Sequence, residues 1–350
     1  MSVNYIPSLD GIRTISVFIV VFAHAGLGHL IPGGLGVTIF FFLSGFLITT
    51  LLVSEYDRNK TINYPYFFAR RFLRLFPPLF ATLAVTYGLY FAGLIEGEAS
   101  WKGLFSQIFY LANYHSIFHW PGEILKGLDI LWSLAVEEHF YLFFPLLMLF
   151  LLRRTSSRNT AICLALLCVV ILLWRLYLVE VVHVETYRTY YATDTRIDSI
   201  LFGCIFAILW NPVTVERTAT LSPKNWAFIS GGVAVLLFTL LYRDPSFRET
   251  YRYSLQGIAL MPIFYFAVKA CDHWLFNWLN FGLMRKLGVY SYFIYLIHFV
   301  AISFLQYNDV ATSILGLIIS TTLISVAYSF ALDRYLDVHF RPLRRKYRGS

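Results

Sequence analysis

Apolar positions fall along this chain in blocks rather than in alternation. Runs of roughly twenty apolar residues, the length that crosses a hydrocarbon layer as a helix, recur from one end to the other. They predict spans at Ile12 to Ile31, Gly36 to Glu55, Leu75 to Leu94, Leu131 to Leu152 and Ala161 to Val179. Five more follow at Arg196 to Trp210, Trp226 to Tyr242, Tyr253 to Val268, Leu287 to Leu305 and Thr312 to Leu332. One further segment, Leu104 to Trp120, has similar length but is polar in its second half. Phe105 with Phe109, and Tyr110 with Tyr114 and Phe118, fall at helical spacing there, so it reads as an amphipathic or re-entrant helix on the outer side. The expected fold class is all-α, a polytopic membrane bundle of about ten transmembrane helices forming a single domain over residues 1–350.

Composition agrees with the pattern. At 58% hydrophobic and 14% charged residues, the chain holds no polar block large enough to bury a separate soluble core. The net charge of +8 does not imply a nucleic-acid partner, because the basic residues are spread over short loops, where they encode topology. One set of loops carries Arg58, Lys60, Arg70, Arg71, Arg74, Arg153, Arg154, Arg158, Arg217, Lys224, Lys269, Arg285 and Lys286. It also carries the tail residues Arg334, Arg341, Arg344, Arg345, Lys346 and Arg348. The opposite set holds Lys102, Lys126, Arg188, Arg243, Arg248 and Arg252. Both termini are therefore expected in the cytoplasm, with the basic tail, about residues 334–350, anchoring at the interface. A crossing by Leu104 to Trp120 would force Arg153 and Arg154 outside. Cys163, Cys168, Cys204 and Cys271 lie in or beside apolar stretches without metal-ligand spacing, so neither a disulfide framework nor a metal site is expected. Ala23-His24-Ala25 resembles a signal cleavage site, but no basic start precedes Asp10 and Arg13.

Polar groups inside the spans are few. Arg13 and His24 are eleven residues apart, about three turns plus 20°, which places them on one helix face roughly 16 Å apart. His24 is then expected near the bilayer centre, where an ionisable group is by default functional; a histidine satisfied by a neighbouring helix is the competing reading. Ser133, Glu137 and Tyr141 follow an i, i+4, i+8 pattern with Glu138 and His139 beside them, a polar stripe or a pair of glutamates reaching interfacial water. Ser291, Tyr295 and His298 share a face of the ninth span, His298 being deep enough to act chemically or to bond a neighbouring helix. Asp194, Arg196 and Asp198 in TDTRID place two carboxylates around one guanidinium, an ion-pair cluster or a holder for a polar acceptor. Arg71 and Arg74, beside Arg70 and just before Pro77 and Pro78, suit forked contacts to phosphate oxygens, or serve as a topology signal.

These pieces carry a resemblance. Arg13-x10-His24, GGLGVTIFFFLSGFLI from Gly33 to Ile48, RRFLRLFPP, SLAVEEHFYLFFP from Ser133 to Pro145, TDTRID and SYFIYLIH from Ser291 to His298 occur in that order. Together they resemble the acyltransferase-3 family of bacterial inner-membrane acyltransferases, which O-acylate lipopolysaccharide, peptidoglycan, exopolysaccharide and some small molecules. The resemblance implies an acyl-coenzyme A donor, most often acetyl-coenzyme A, no metal, and a glycan or lipid-linked saccharide acceptor outside the cytoplasm. It implies functional roles for Arg13, His24, Arg71 and Arg74, and for Glu137 in the fourth span. Arg71 and Arg74, with Arg13, would hold the cofactor's phosphates at the inner surface while its pantetheine arm presents the acyl group near His24. His24 would then act as general base or form an acyl-histidine. Ser133, Tyr141, Asp194, Arg196, Asp198, Tyr295 and His298 are the supporting polar groups. Some members append an SGNH hydrolase-like domain; a chain ending at Ser350 is expected to take that contribution from a partner or to do without it.

The rival class is a proton-coupled transporter or flippase with His24, Glu137 and His298 as a relay. It predicts broken helices at matching positions in two halves, and the interruptions near Gly33 and Pro77 have no expected counterparts later in the chain. The charge bias gives a direct test of topology. A reporter fused after Arg158 should read cytoplasmic and one fused near Gly122 external; the reverse pair would overturn the ten-span arrangement.

Overall fold

The computed structural model describes residues 5–119, 123–214, 218 and 220–347; Trp120, Gly122, Arg217, Arg348 and Ser350 of the sequence reading lie outside them. All regular structure among the described residues is helical, the form in which a chain satisfies its own backbone groups in lipid. In chain order the helices are α1 (Pro7–Phe22), continued by a π-turn at Ala23–Leu27, α2 (Gly33–Asn59), α3 (Tyr64–Phe91), α4 (Trp101–Ile108) and α5 (Ala112–His119). Then come α6 (Leu131–Arg154), α7 (Ser157–Glu180), α8 (Thr186–Tyr191), α9 (Thr193–Leu209), α10 (Pro223–Leu241) and α11 (Pro245–Glu249). The last are α12 (Tyr251–Lys269), α13 (Trp274–Asn277), α14 (Gly282–Tyr307), α15 (Ile314–Ala331), a π-turn at Leu332–Asp337, and α16 (Val338–Lys346). Short polar side chains set many of the starts by accepting from the first-turn N–H groups. Asn63 caps α3, Ser100 α4, Ser156 α7, Ser222 α10 and Ser313 α15.

Among the described residues nine helices are long and apolar enough to cross a membrane; α12 with Trp274–Asn280, bent by 95°, makes a tenth if the pair is one span. The segment expected not to cross forms α4 and α5, each about 12 Å long and joined through Tyr110 at φ 56°. Trp101, Phe105, Phe109 and Phe118 point outward, while Ser106, Gln107, Asn113 and Ser116 are buried. The segment is amphipathic, with large aromatic side chains outward and polar ones inward.

Contacts divide the chain into two compact units: residues 1–16, 34–62 and 136–288, and residues 17–33, 63–135 and 289–350. In the first, α2 and α9 cross through reciprocal glycines. A Cβ on Gly45 would lie 2.0 Å from the Ile200 carbonyl oxygen, and one on Gly203 would lie 1.9 Å from that of Phe42. Backbones that close leave no room for side chains, and Phe42, Phe46, Phe206 and Phe264 fill the space around the crossing with ring centroids 4.7–5.6 Å apart.

The second unit has α3, the α4–α5 segment, the start of α6, most of α14, α15 and α16 around a core of Leu79, Leu83, Leu125, Leu128, Leu131, Leu296 and Val300. Here the sequence reading needs correction, because α3 begins at Tyr64 instead of Leu75 and runs straight through Pro77 and Pro78. Pro77 has no N–H for the carbonyl of Leu73 one turn earlier, and Arg344 of α16 donates to that carbonyl instead, at 3.4 Å. Tyr292 of α14 likewise donates to the Leu75 carbonyl at 2.9 Å. Arg344 is held in place by both oxygens of Asp337, at 2.6 and 2.9 Å. The interruptions lie elsewhere: at the π-turn around Gly26, whose φ is 109°, and in the later part of the chain at the π-turn Leu332–Asp337 and the bend after α12. The expectation of none in the second half does not hold.

The reciprocal crossing predicts a contrast measurable by thermal denaturation in detergent. Gly203→Ala should cost about 1 to 3 kcal/mol through overpacking against backbone. Gly231→Ala, whose Cβ would meet nothing within 4 Å, should be neutral or gain up to about 1 kcal/mol from helix propensity.

Candidate active site

The end of the first span carries the most reactive arrangement. Leu27 ends the π-turn that follows α1, so His24 sits in the last turn of that span and not at its middle, as the apolar run to Ile31 had suggested. Ala25 and Gly26 leave the helical path here, Gly26 at φ 109°, and the His24 side chain is exposed. Its Nδ1 lies 2.9 Å from Nε2 of His298. The two rings meet edge to edge, with centroids 5.2 Å apart and planes within 3°, and the Phe299 ring lies 4.8 Å from that of His24.

Hydrogen-bond bookkeeping fixes the proton positions in the neutral pair. Nδ1 of His298 is 2.6 Å from the backbone carbonyl of Tyr295. A carbonyl only accepts, so Nδ1 carries the hydrogen and Nε2 of His298 presents its lone pair. Nδ1 of His24 must then donate to it. The consequence is that the lone pair of His24 is left on Nε2. Below the dyad the Tyr295 hydroxyl bonds Ser133 Oγ at 2.7 Å and the Ile130 carbonyl at 3.2 Å. Ser133, Tyr295, His298 and His24 are thus one connected group within the second unit, and Ser291 is buried one turn earlier on α14.

The other candidates make contacts of their own. Arg13, in the first unit, is paired with Asp10 at 2.9 Å. Glu137 shares a helix face with Ser133, yet its Oε1 accepts from Ser44 of α2 at 2.9 Å, and Tyr141 donates to Ser44 at 2.6 Å. His139 bonds Thr193 at 2.7 Å. Ser44 is a partner of Glu137 and Tyr141 that the sequence reading missed; its signal was a lone hydroxyl in FFFLSGFLI.

The TDTRID group is not the single cluster expected. Residues two apart on a helix point to opposite sides. Asp194 bonds Arg188 at 2.6 and 3.1 Å and the Trp174 indole at 2.7 Å. Asp198 bonds Arg175 at 2.7 Å, both side chains fully buried, and Ser254 at 3.0 Å. Arg196 lies on the other side, its guanidinium 4.0 Å from the centre of the Tyr253 ring, with Tyr190 and Phe41 further out, and donates to the Tyr190 carbonyl at 3.2 Å. Arg175 was overlooked, although one charge inside ILLWRLYL signals a buried partner.

Of the arginines before the prolines, Arg70 donates to the Tyr347 carbonyl at 2.6 Å. Arg71 lies over the Phe67 ring, and Arg74 is exposed. Arg345 and Lys346 of α16 are exposed as well, so α16, docked on α3 through Arg70 and Arg344, adds to the positive charge of this end. Among the described residues no group of three or more His, Cys, Asp or Glu side chains could hold a metal ion.

A model of the acyltransferase-3 family, described as an acyltransferase domain, matches residues 6–333. The chain belongs to the acyltransferase-3 family. It is 32% identical over 317 residues to the O-acetyltransferase OatA of Staphylococcus aureus strain NCTC 8325, covering 87% of this chain and 52% of that protein. It is 30% identical over 311 residues to the peptidoglycan O-acetyltransferase OatA of Listeria monocytogenes strain EGD-e, covering 86% and 50%. The chain therefore spans about half the length of these relatives. No solved structure matches. Family membership and the number of apolar helices make this a multi-pass membrane protein. Membership, and not the placing of helix breaks, is what separates this acyltransferase-3 chain from the transporter reading.

Proposed function

We propose that this chain is a membrane-bound O-acyltransferase that moves an acyl group, most simply acetyl, from coenzyme A to a hydroxyl of an extracytoplasmic or lipid-linked glycan. The observation that carries the reading is the hydrogen-bonded His24–His298 pair, whose bonds leave a lone pair on Nε2 of the exposed His24 side chain. Nε2 takes the acceptor hydroxyl's proton as its oxygen attacks the thioester carbonyl. A carbon–oxygen bond forms; collapse of the tetrahedral intermediate breaks the carbon–sulfur bond, and the thiolate recovers the proton from His24. While His24 is an imidazolium, its Nδ1–H bond to His298 strengthens, and His298 in turn leans on the Tyr295 carbonyl. Ser133 and Tyr295 position that partner. Arg71 and Arg74 bind the phosphates of the donor. The names of the relatives, O-acetyltransferase and peptidoglycan O-acetyltransferase, support acetyl as the group and a glycan as the acceptor class.

Two outcomes are expected. Replacing His24 by Gln keeps a hydrogen-bonding side chain but removes the base, so transfer should fall by about 10² to 10⁴ while acetyl-coenzyme A affinity, measured by calorimetry, changes by no more than a few fold. Near-normal turnover would remove His24 from the chemistry. Arg71→Ala or Arg74→Ala should weaken acetyl-coenzyme A binding by about 1.5 to 3 kcal/mol per charged hydrogen bond lost, with lysine restoring only part because it lacks the planar fork. Unchanged affinity in both would leave these arginines as topology signals.

A further inference from the structure

We propose that Arg285 and Arg13 form a binding site for the phosphate of an anionic phospholipid, at the end of the first compact unit where α1 and α14 begin.

The placement comes from two close backbone approaches. A Cβ on Gly288 would lie 1.9 Å from the Asp10 carbonyl oxygen, and one on Gly11 would lie 2.3 Å from that of Leu279. Between them Thr14 donates to the Met284 carbonyl at 2.6 Å. The first turns of α14 are thus pressed against the part of α1 that carries Asp10 and Arg13. Tyr5 joins the two sides: its hydroxyl bonds Asp10 and feels the charges of both Arg285 and Arg13.

The charges at this point do not balance. Asp10 is paired with Arg13 at 2.9 Å, and Arg13 engages it through Nη1 alone. Among the described residues the Arg285 side chain makes no ion pair or hydrogen bond; the residue is half-buried and its Nε is shut off from solvent. A guanidinium held partly out of water without a counter-ion costs stability, and a second cation close by adds to the cost. A phosphodiester supplies the missing charge, and its two free oxygens match the planar fork of an arginine.

The surroundings make that phosphate a lipid's. Trp274, Trp278, Phe281 and Leu283 lead up to Arg285 along the chain and are exposed, as is Tyr5. Aromatic side chains exposed at the ends of membrane-crossing helices mark the level of the headgroups. A soluble anion would set its charge against this apolar rim, whereas a phospholipid lays its chains along the rim and brings only its phosphate to the arginines. A zwitterionic headgroup carries its own ammonium to the site, so a headgroup of net negative charge such as phosphatidylglycerol is preferred.

The test is native mass spectrometry of the purified full chain in neutral detergent, titrated with phosphatidylglycerol or phosphatidylcholine, beside melting temperatures of the same samples. The parent should retain phosphatidylglycerol in preference to phosphatidylcholine and melt higher in its presence; equal retention of the two overturns the assignment. Arg285→Gln should weaken phosphatidylglycerol retention about tenfold or more, as for the loss of one charged hydrogen bond, and should lose the thermal gain. Arg285→Lys, which keeps the charge without the fork, should recover part of both. Arg158→Gln, which removes an exposed arginine elsewhere in the same unit, should behave as the parent. Without added lipid Arg285→Gln should melt no lower than the parent, because it removes an unpaired charge. Unchanged retention in Arg285→Gln overturns the site. So does an equal loss in Arg158→Gln, which would reduce the binding to diffuse attraction, or a lowered melting point of lipid-free Arg285→Gln, which would mark the arginine as structural. The other source of phosphate is the soluble donor, the role expected for Arg13 from the family resemblance. Coenzyme A at saturation should leave phosphatidylglycerol on the parent; displacing it would assign the two arginines to the donor and overturn the lipid.

Discussion

Inside a hydrocarbon layer no water stands ready to bond an unpaired polar group, so each buried donor and acceptor must find its partner within the protein. That constraint shapes the acyltransferase-3 chain at several points. Arg344 serves the Leu73 carbonyl that Pro77 deprives of a donor; Arg175 meets Asp198, Ser254 and the Thr195 carbonyl with its side chain fully buried; His298 spends one ring nitrogen on its own helix. Once these debts are met, what is left over is informative. At His24 the surplus is a basic nitrogen on an exposed side chain.

With His24 as the proposed base, a neutral histidine as its orienting partner suits this setting. A buried carboxylate in that role would carry a full charge into a low-dielectric region and need its own compensation. In the proposed mechanism His298 orients through dipoles alone and becomes strongly engaged only when His24 takes up a proton. The same economy appears at Tyr295, whose backbone carbonyl sets the tautomer of His298 and whose hydroxyl, bonded to Ser133, fixes the helix that bears it.

Much of the fold could be read from the pattern of apolar blocks, because helices of spanning length need only local sequence to declare themselves. Their ends could not. The start of α3 depends on the Asn63 cap, and its passage through two prolines depends on Arg344 and Tyr292, both more than two hundred residues away. At the site, His24 and His298 were both singled out from periodicity, yet their contact spans 274 residues and no local spacing encodes it. TDTRID misled for a geometric reason: alternate residues on a helix face apart, and the true partner of Asp198 lies on α7. Ser133, Glu137 and Tyr141 do share a stripe, but the helices they meet differ, which is a property of packing and not of α6.

The tie between α16 and α3 also sets an order of events in biogenesis. Leu73 and Arg344 are separated by 271 residues, which at about 5 to 20 residues per second takes roughly 15 to 50 s to synthesise. Through that interval α3 has entered the membrane with a carbonyl that its eventual donor cannot yet reach. The nascent chain must shelter that position with water, lipid headgroup or the insertion machinery until α16 has emerged, so α3 is completed only after every other described helix has been made.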